Sequence, residues 1–583
     1  MYLTKAYQLI LALSLSQLVP AQNLVAHLDY GTFQGAYNAD YNISYWQKIP
    51  YAAPPVGGNR FRAPQPPHAI GDQVYNSSQP FDMCPQRTVN GSEDCLYLGL
   101  YSRPWTDGQP LRPVVVTFYG GGFAQGSASF TIPPSAYPIL NVSASSSSSS
   151  SSKRGDDGML FVYPNYRVNA FGFLPGRQVA ADPFSDPNAG LLDQKMALTW
   201  TQKHIRQFGG DPARVTIWGQ SAGGGSVVAQ TIAAAAAQKQ WERDHRQQQQ
   251  QQGGLSPPSS APPQLFRQAM ASSPFWPKTY RNEAPEAQWR YDRLANLTGC
   301  GGATVDSLQC LKQVDVQTIR EASLQISQSQ KYTTSYYSWV PVIDGVFLPE
   351  PLSEVVKADA AAAAVTSSYR NSTLEVAFAM YNTHEGESFI PPGLGRAVGI
   401  PGDDPFNASV ASFREWVAGY LPGLSSADRQ RLEQLYPESG TVTGTPPNGY
   451  NDTYTRAGLV YRDSVLACPA YWMTGTAPRG AWLGEYTIAP AKHASDTYWW
   501  NKVDPAQQTD RLHYEGYAGA MRSFFMTGSP NDMKLTPEDV PGVPPLRSGL
   551  EYVVDSRGFS TAELAKFKEK CAFWLDVAPR ASL

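Results

Sequence analysis

Val215-Thr216-Ile217-Trp218-Gly219-Gln220-Ser221-Ala222-Gly223-Gly224-Gly225 decides the fold. Its first four residues are β-branched or aromatic and read as a short buried strand. The chain then turns sharply at Gly219, and a helix-compatible stretch follows from Ala222 to Gln230. A serine on a strained strand-to-helix turn needs minimal side chains two residues to either side, and Gly219 and Gly223 meet that need. Such a turn exposes Ser221 Oγ above a sheet, and the helix N-terminus behind it favours developing negative charge. G-x-S-x-G also arises by chance, as an ordinary glycine-rich helix start, so the flanking residues must decide.

Immediately upstream, Leu191 to Phe208 reads as a helix, with apolar residues at Met196, Leu198, Trp200 and Ile205. Gly209-Gly210-Asp211-Pro212 stops it and leads into the strand. Further out, Pro113 to Tyr119 is a strand that runs into Gly120-Gly121-Gly122-Phe123, and Leu160 to Tyr163 is another. Ser92-Glu93-Asp94-Cys95-Leu96-Tyr97-Leu98 enters a strand, whereas the proline-rich run from Ile49 to Phe61 reads as surface loop. Strands alternating with helices predict an α/β fold with a mostly parallel sheet.

The chain has 583 residues, a hydrophobic share of 42% and a formal net charge of -3. That is enough apolar sequence for a large core, and the near-neutral charge gives no case for nucleic acid. Residues 1–21 read as a secretory signal peptide, with Lys5, an apolar run from Ala6 to Leu18, and a cleavage site at Val19-Pro20-Ala21. No stretch is long enough for a membrane span, so the expected protein is secreted and extracellular. Six cysteines suit a disulfide set and leave fifteen pairings open. No Cys-x-x-Cys spacing suggests a metal site. Glycosylation sequons occur at Asn42, Asn76, Asn90, Asn141, Asn296, Asn371, Asn407 and Asn451. Ser145 to Ser152 is a serine run, and Gln247 to Gln252 opens a polar stretch reaching about Gln264. Both are expected as disordered insertions, near 143–154 and 233–264, in a single domain spanning 22–583. The alanine run Ala360 to Ala364 could extend a helix.

Taken together, IPYAAPPVGGNRF, SEDCLYL, YGGGF, NYRVNAFGFL and GLLDQKMALTWTQKHIRQFGGDPARVTIWGQSAGG resemble the type-B carboxylesterase/lipase family, as do PVIDGVFLP and NTHEGESF later in the chain. The resemblance is to secreted fungal carboxylesterases, with cholinesterases and Candida-type lipases as wider kin, and it implies an α/β-hydrolase fold. It implies a catalytic serine at Ser221, an acid at Glu385 in Asn382-Thr383-His384-Glu385-Gly386, and a base at His493. The order serine, acid, histidine is the one this fold uses. His493 is followed by Ala494 where the family usually has glycine. The rival base is His513, read as a surface residue of the loop before a helix from Tyr517 to Phe525. Asp344 is a second candidate acid, whose PVIDG context favours a structural role. The resemblance assigns the oxyanion hole to the N–H groups of Gly121, Gly122 and Ala222. It also pairs Cys84 with Cys95, Cys300 with Cys310 and Cys468 with Cys571, and suggests a buried ion pair between Arg167 and Glu93.

The implied reaction is hydrolysis of a carboxylic ester through an acyl-enzyme, with no metal or organic cofactor. Its partner is a small-molecule or lipid ester. Three departures bear on substrate. The loop Pro85 to Asp94 is short and lacks tryptophan, which argues against choline specificity and against a large interfacial lid. Gln220 replaces the glutamate most common before the nucleophile, weakening any preference for cationic substrates. Trp276 lies where the family builds its acyl pocket. The rival readings are a lipase acting on long-chain acylglycerols, an acyl-transferring enzyme of secondary metabolism, and a non-catalytic, cholinesterase-like interaction protein. The sequence carries no signal for oligomeric state.

Overall fold

The computed structural model describes residues 24–583 apart from 129–130, 143–157, 253–260, 303, 331–336, 366–373, 401–403 and 443–448. The expected signal peptide and the insertion near 143–154 lie outside the described residues.

Among the described residues, eleven strands form one sheet. In chain order they are β1 Ala36–Asn38, β2 Ile43–Pro50, β3 Tyr97–Ser102, β4 Arg112–Phe118, β5 Leu160–Pro164, β6 Gly210–Gln220, β7 Gln268–Ser272, β8 Val376–Asn382, β9 Gly480–Tyr486, β10 Leu550–Asp555 and β11 Gly558–Glu563. Their spatial order is β11-β10-β9-β8-β7-β6-β4-β5-β3-β2-β1. Every pairing from β5 across to β10 is parallel. The pairings at both edges are antiparallel.

Parallel strands covered on both faces read as near-continuous apolar runs, and side chains alternate between the two faces. Val114, Val116, Val215, Ile217, Ala269, Ala271, Ala377 and Ala379 enter one core. Val115, Trp218, Met270, Phe378 and Met380 enter the other. The first core is shared by Leu191 and Leu198 of α1 (Ala189–His204) and Val227 and Val228 of α2 (Ala222–Gln252). The second is closed by Tyr514, Tyr517, Met521 and Phe524 of α3 (Arg511–Thr527). Phe567 and Trp574 of α4 (Ala565–Ala581) return to the first face.

The insertion expected at 233–264 begins as helix instead, because α2 continues without a break to Gln252. Ala233 to Ala237 and the glutamines beyond are good helix formers, and the next helix-breaking pair is Gly253-Gly254. Side-chain bonds one turn apart, Gln238 to Glu242 and Gln240 to Asp244, support the extension. The alanine run likewise lies within the helix Leu352–Val365. Disulfides join Cys84 to Cys95, Cys300 to Cys310 and Cys468 to Cys571. Among the described residues, no helix is long and apolar enough to cross a membrane.

Candidate active site

β4 lies between β5 and β6, so the chain reverses its direction of travel along the sheet there. Crevices at such switch points, beyond the C-terminal strand ends, are where open α/β sheets hold ligands. Ser221 follows the end of β6, and the Gly120-Gly121-Gly122 loop follows the end of β4.

Ser221 has a φ of 59° between strand and helix. A non-glycine residue held there stores about 1–3 kcal/mol of strain, which the surroundings must fix. They do so through three backbone bonds: Ser221 N donates to Ser272 O at 2.9 Å, and its carbonyl accepts from Gly225 N at 2.9 Å and Phe275 N at 2.8 Å. A methyl group on Gly219 would strike the carbonyl of Gly223, and one on Gly223 would strike the carbonyl oxygen of Phe118. Both glycines are therefore required by close backbone approach.

The structure brings Ser221, His493 and Glu385 together. With a proton on Nδ1, His493 donates to Glu385 Oε2 at 3.0 Å and accepts from Ser221 Oγ through Nε2 at 2.8 Å. Glu385 is wholly buried. It opens a short turn, Glu385–Ser388, just past the end of β8. Its segment is tied to the histidine loop, since Thr383 N donates to Tyr486 O at 3.1 Å and His384 N to Ala491 O at 2.9 Å. The Phe389 ring meets the His493 imidazole edge-on, with centroids 4.8 Å apart. Ala494 has a φ of 69°, which explains why glycine is usual after this histidine.

His513 lies elsewhere, and the expectation of a surface loop is corrected. It sits inside α3 and is buried, with Nδ1 at 2.7 Å from Asp510 Oδ2 and Nε2 at 2.7 Å from Asp555 O. Asp344 organises its own turn: its carboxylate accepts from Val346 N, Leu348 N and Asn188 Nδ2. The expected Arg167–Glu93 pair is corrected too. Arg167 makes a two-pronged bond to buried Asp193, at 2.8 and 2.7 Å, while Glu93 is held the same way by Arg60 at 2.7 and 2.6 Å. Glu93 lies in the short disulfide loop and faces Arg60 of the proline-rich segment; Asp193 is the acid that α1 brings to the core.

Gly121 and Gly122 have φ of 111° and 65°. A methyl group on Gly122 would overlap the Tyr337 ring. Among the described residues, no backbone acceptor takes the N–H groups of Gly121, Gly122 or Ala222. A cavity of 300 Å³ adjoins this loop, lined in part by Gly120, Gly121, Gln220, Trp218, Trp500 and Asn501, and among the described residues no charged side chain lines it. Gln220 Nε2 stands 3.4 Å from His493 Nε2. Aromatic rings crowd the other side, where Phe275, Tyr337, Phe389 and Tyr461 contact one another.

Sequence reasoning passed over Asp496, which is buried and accepts from Asn382 Nδ2, Tyr517 OH and Trp500 Nε1. Burial raises its carboxyl above the ordinary value, opposed by those three donors. Its signal was present, three residues beyond His493. Of the sequons, Asn42, Asn76, Asn90, Asn141, Asn296 and Asn451 are exposed and Asn407 is half-buried; Asn371 is outside the described residues.

A parallel sheet that presents a serine on a strand-to-helix turn is the α/β-hydrolase fold. Residues 22–244 and 252–482 match the sequence model of the carboxylesterase family, and the chain belongs to that family. It is a carboxylic-ester hydrolase. It is similar to "Carboxylesterase patB" of Aspergillus clavatus, with 27% identity over 84% of this chain and 85% of that protein. "Secreted lipase 1" of Botryotinia fuckeliana is 31% identical over 52% of this chain and 50% of that protein. In fold, the crystal structure of Aspergillus niger EstA agrees with a TM-score of 0.72, covering 96% of this chain and 99% of that one at 23% identity.

Proposed function

We propose that Ser221 is the nucleophile of a secreted serine carboxylesterase, with His493 as general base and Glu385 as its acid. The observation that carries this reading is the continuous relay from Ser221 Oγ through His493 to Glu385, at 2.8 and 3.0 Å. His493 takes the hydroxyl proton as Ser221 attacks the ester carbonyl, and Glu385 holds the imidazole tautomer and stabilises the imidazolium. The N–H groups of Gly121, Gly122 and Ala222 receive the oxyanion. His493 then protonates the leaving alcohol, and water cleaves the acyl-enzyme with the same histidine as base. The neutral cavity beside Gly121 and Gln220 favours an uncharged alcohol portion. We assign residues 1–21 to a signal peptide and 22–583 to one catalytic domain. The exposed sequons and three disulfides accord with export.

A second reading, a lipase, is favoured by the secreted lipase relative. Hydrolysis of p-nitrophenyl esters from acetate to palmitate, with Ser221→Ala as control, separates the two. Activity that peaks at short chains and is lost in Ser221→Ala is the expected result. Activity that rises steeply once a long-chain ester exceeds its solubility assigns a lipase. Retention of activity by Ser221→Ala overturns the assignment of the nucleophile.

A further inference from the structure

Beneath the segment that carries Glu385, three adjacent strands bring acidic and phenolic groups onto one face. Tyr381 of β8 is the register partner of Glu485 in β9, and Glu485 is the partner of Val553 in β10. Glu551 precedes Val553 by two residues and so shares its face. Both glutamates are wholly buried. Tyr381 OH donates to Glu551 Oε2 at 2.8 Å, and Thr383 Oγ1 donates to Glu485 Oε1 at 2.8 Å. Arg462, at the end of the helix Thr453–Arg462, donates from Nη1 to Thr383 O at 3.0 Å and lies 3.6 Å from Glu485 Oε1. The same guanidinium grips Asp463 Oδ1 at 2.7 Å. Lys570 of α4 approaches Asp463 Oδ2 at 3.9 Å, and Tyr436 OH donates to that oxygen at 2.8 Å. The remaining titratable neighbours are His384, which is bound to Glu387, and Lys566, which is exposed outside the buried cluster and acts on Lys570.

The cluster does not balance if every group is ionised. Three carboxylates (Glu485, Glu551, Asp463) face two cations (Arg462, Lys570). An uncompensated buried charge is strongly unfavourable, and a bound proton removes it. Glu485 has a guanidinium and a hydroxyl to stabilise its charge. Glu551 accepts from the Tyr381 hydroxyl and feels the Arg462 charge, but among the described residues its Oε1 is buried without a hydrogen-bond partner. Burial and the neighbouring Glu485 charge raise the Glu551 carboxyl well above its ordinary value; burial also raises Glu485, opposed by Arg462.

We propose that Glu551 keeps its proton at neutral pH, and that ionised Glu485 with Arg462 forms a positioning device clamping Thr383, two residues before the acid partner of His493. The device rests on the triad reading above. Thr383 is held from both ends, its hydroxyl by Glu485 and its carbonyl by Arg462, so the Glu385 carboxylate meets His493 without reorganisation. Folding tightens the hold on the Glu551 proton. The resulting stabilisation is therefore present at lower pH and is lost as pH rises through the folded-state value.

The test is the pH profile of kcat on p-nitrophenyl acetate for the wild type, Glu551→Gln and Glu485→Gln, with melting curves to establish folding. The amide introduced by Glu551→Gln reproduces a protonated acid, accepting from Tyr381 while offering an N–H. Glu551→Gln is expected to keep neutral kcat within about twofold and to move the alkaline loss of activity to higher pH. Glu485→Gln is expected to lower kcat about tenfold with KM unchanged, as loss of positioning alone would. A folded Glu551→Gln whose alkaline limb coincides with that of the wild type overturns the proposal, as does one that loses neutral activity more than about tenfold. The Glu551→Gln result decides alone where Glu485→Gln does not fold. Activity that survives Ser221→Ala would instead remove the triad reading, a separate outcome.

Discussion

His493 Nδ1 and Glu385 Oε2 stand 3.0 Å apart, and the carboxylate is wholly buried between the end of β8 and the histidine loop. A carboxylate there accepts only, so in the proposed relay it fixes the proton on Nδ1 and leaves Nε2 free to take the serine proton. Glutamine keeps the shape but offers a donor or an uncharged acceptor. Glu385→Gln is expected to lower kcat on p-nitrophenyl acetate by about 10³-fold or more, with a much smaller change in KM. Steady-state kinetics check this, and near-wild-type kcat would remove Glu385 from the relay.

Ala494 occupies the left-handed region, with φ of 69°, directly after His493. An L-residue held there costs roughly 1–2 kcal/mol, whereas glycine gives back about 0.5–1 kcal/mol in unfolded-chain entropy. Ala494→Gly is therefore expected to stabilise the fold by about 0.5–1 kcal/mol, without loss of esterase activity. The shift in the urea midpoint at constant slope measures it, and a lower midpoint would show that this loop is not strained.

That loop also illustrates which parts of the molecule were legible in the chain. The Ser221 turn could be read because part of its requirement is short-range: Gly219 answers to Gly223 four residues on, a contact inside the turn that leaves a pattern in adjacent residues, although Gly223 itself answers to Phe118 on the neighbouring strand. The parallel strands β4, β5 and β6 could be read because burial on both faces leaves apolar runs. Partnerships across the fold left no such trace. Arg167 pairs with Asp193, and Glu93 with Arg60, by arrangements that only packing of α1 and the proline-rich segment creates. His513 was misplaced because α3 begins earlier than its apolar pattern, at Arg511, with Asp510 accepting from His513 N at its N-terminus. The Glu485–Glu551 cluster draws on β8, β9 and β10 together with Arg462 and Lys570, and no window of sequence contains it.

Gln220 offers the sharpest test of how charge near His493, the proposed base, sets specificity. Its amide nitrogen lies 3.4 Å from His493 Nε2, and it lines a cavity that among the described residues has no charged side chain. Gln220→Glu places a carboxylate beside the imidazole. A negative charge at that distance stabilises the imidazolium, so the histidine stays protonated to higher pH. The acidic limb of kcat/KM is therefore expected to move up by about 0.5–1 pH unit. The same charge attracts cations, so kcat/KM for an ester of a quaternary-ammonium alcohol should rise relative to its neutral isostere, and the gain should shrink as salt is added. Parallel pH profiles and an ionic-strength series on the two esters measure both effects. An unmoved limb, with unchanged selectivity in a folded variant, would show that position 220 is electrostatically remote from the chemistry.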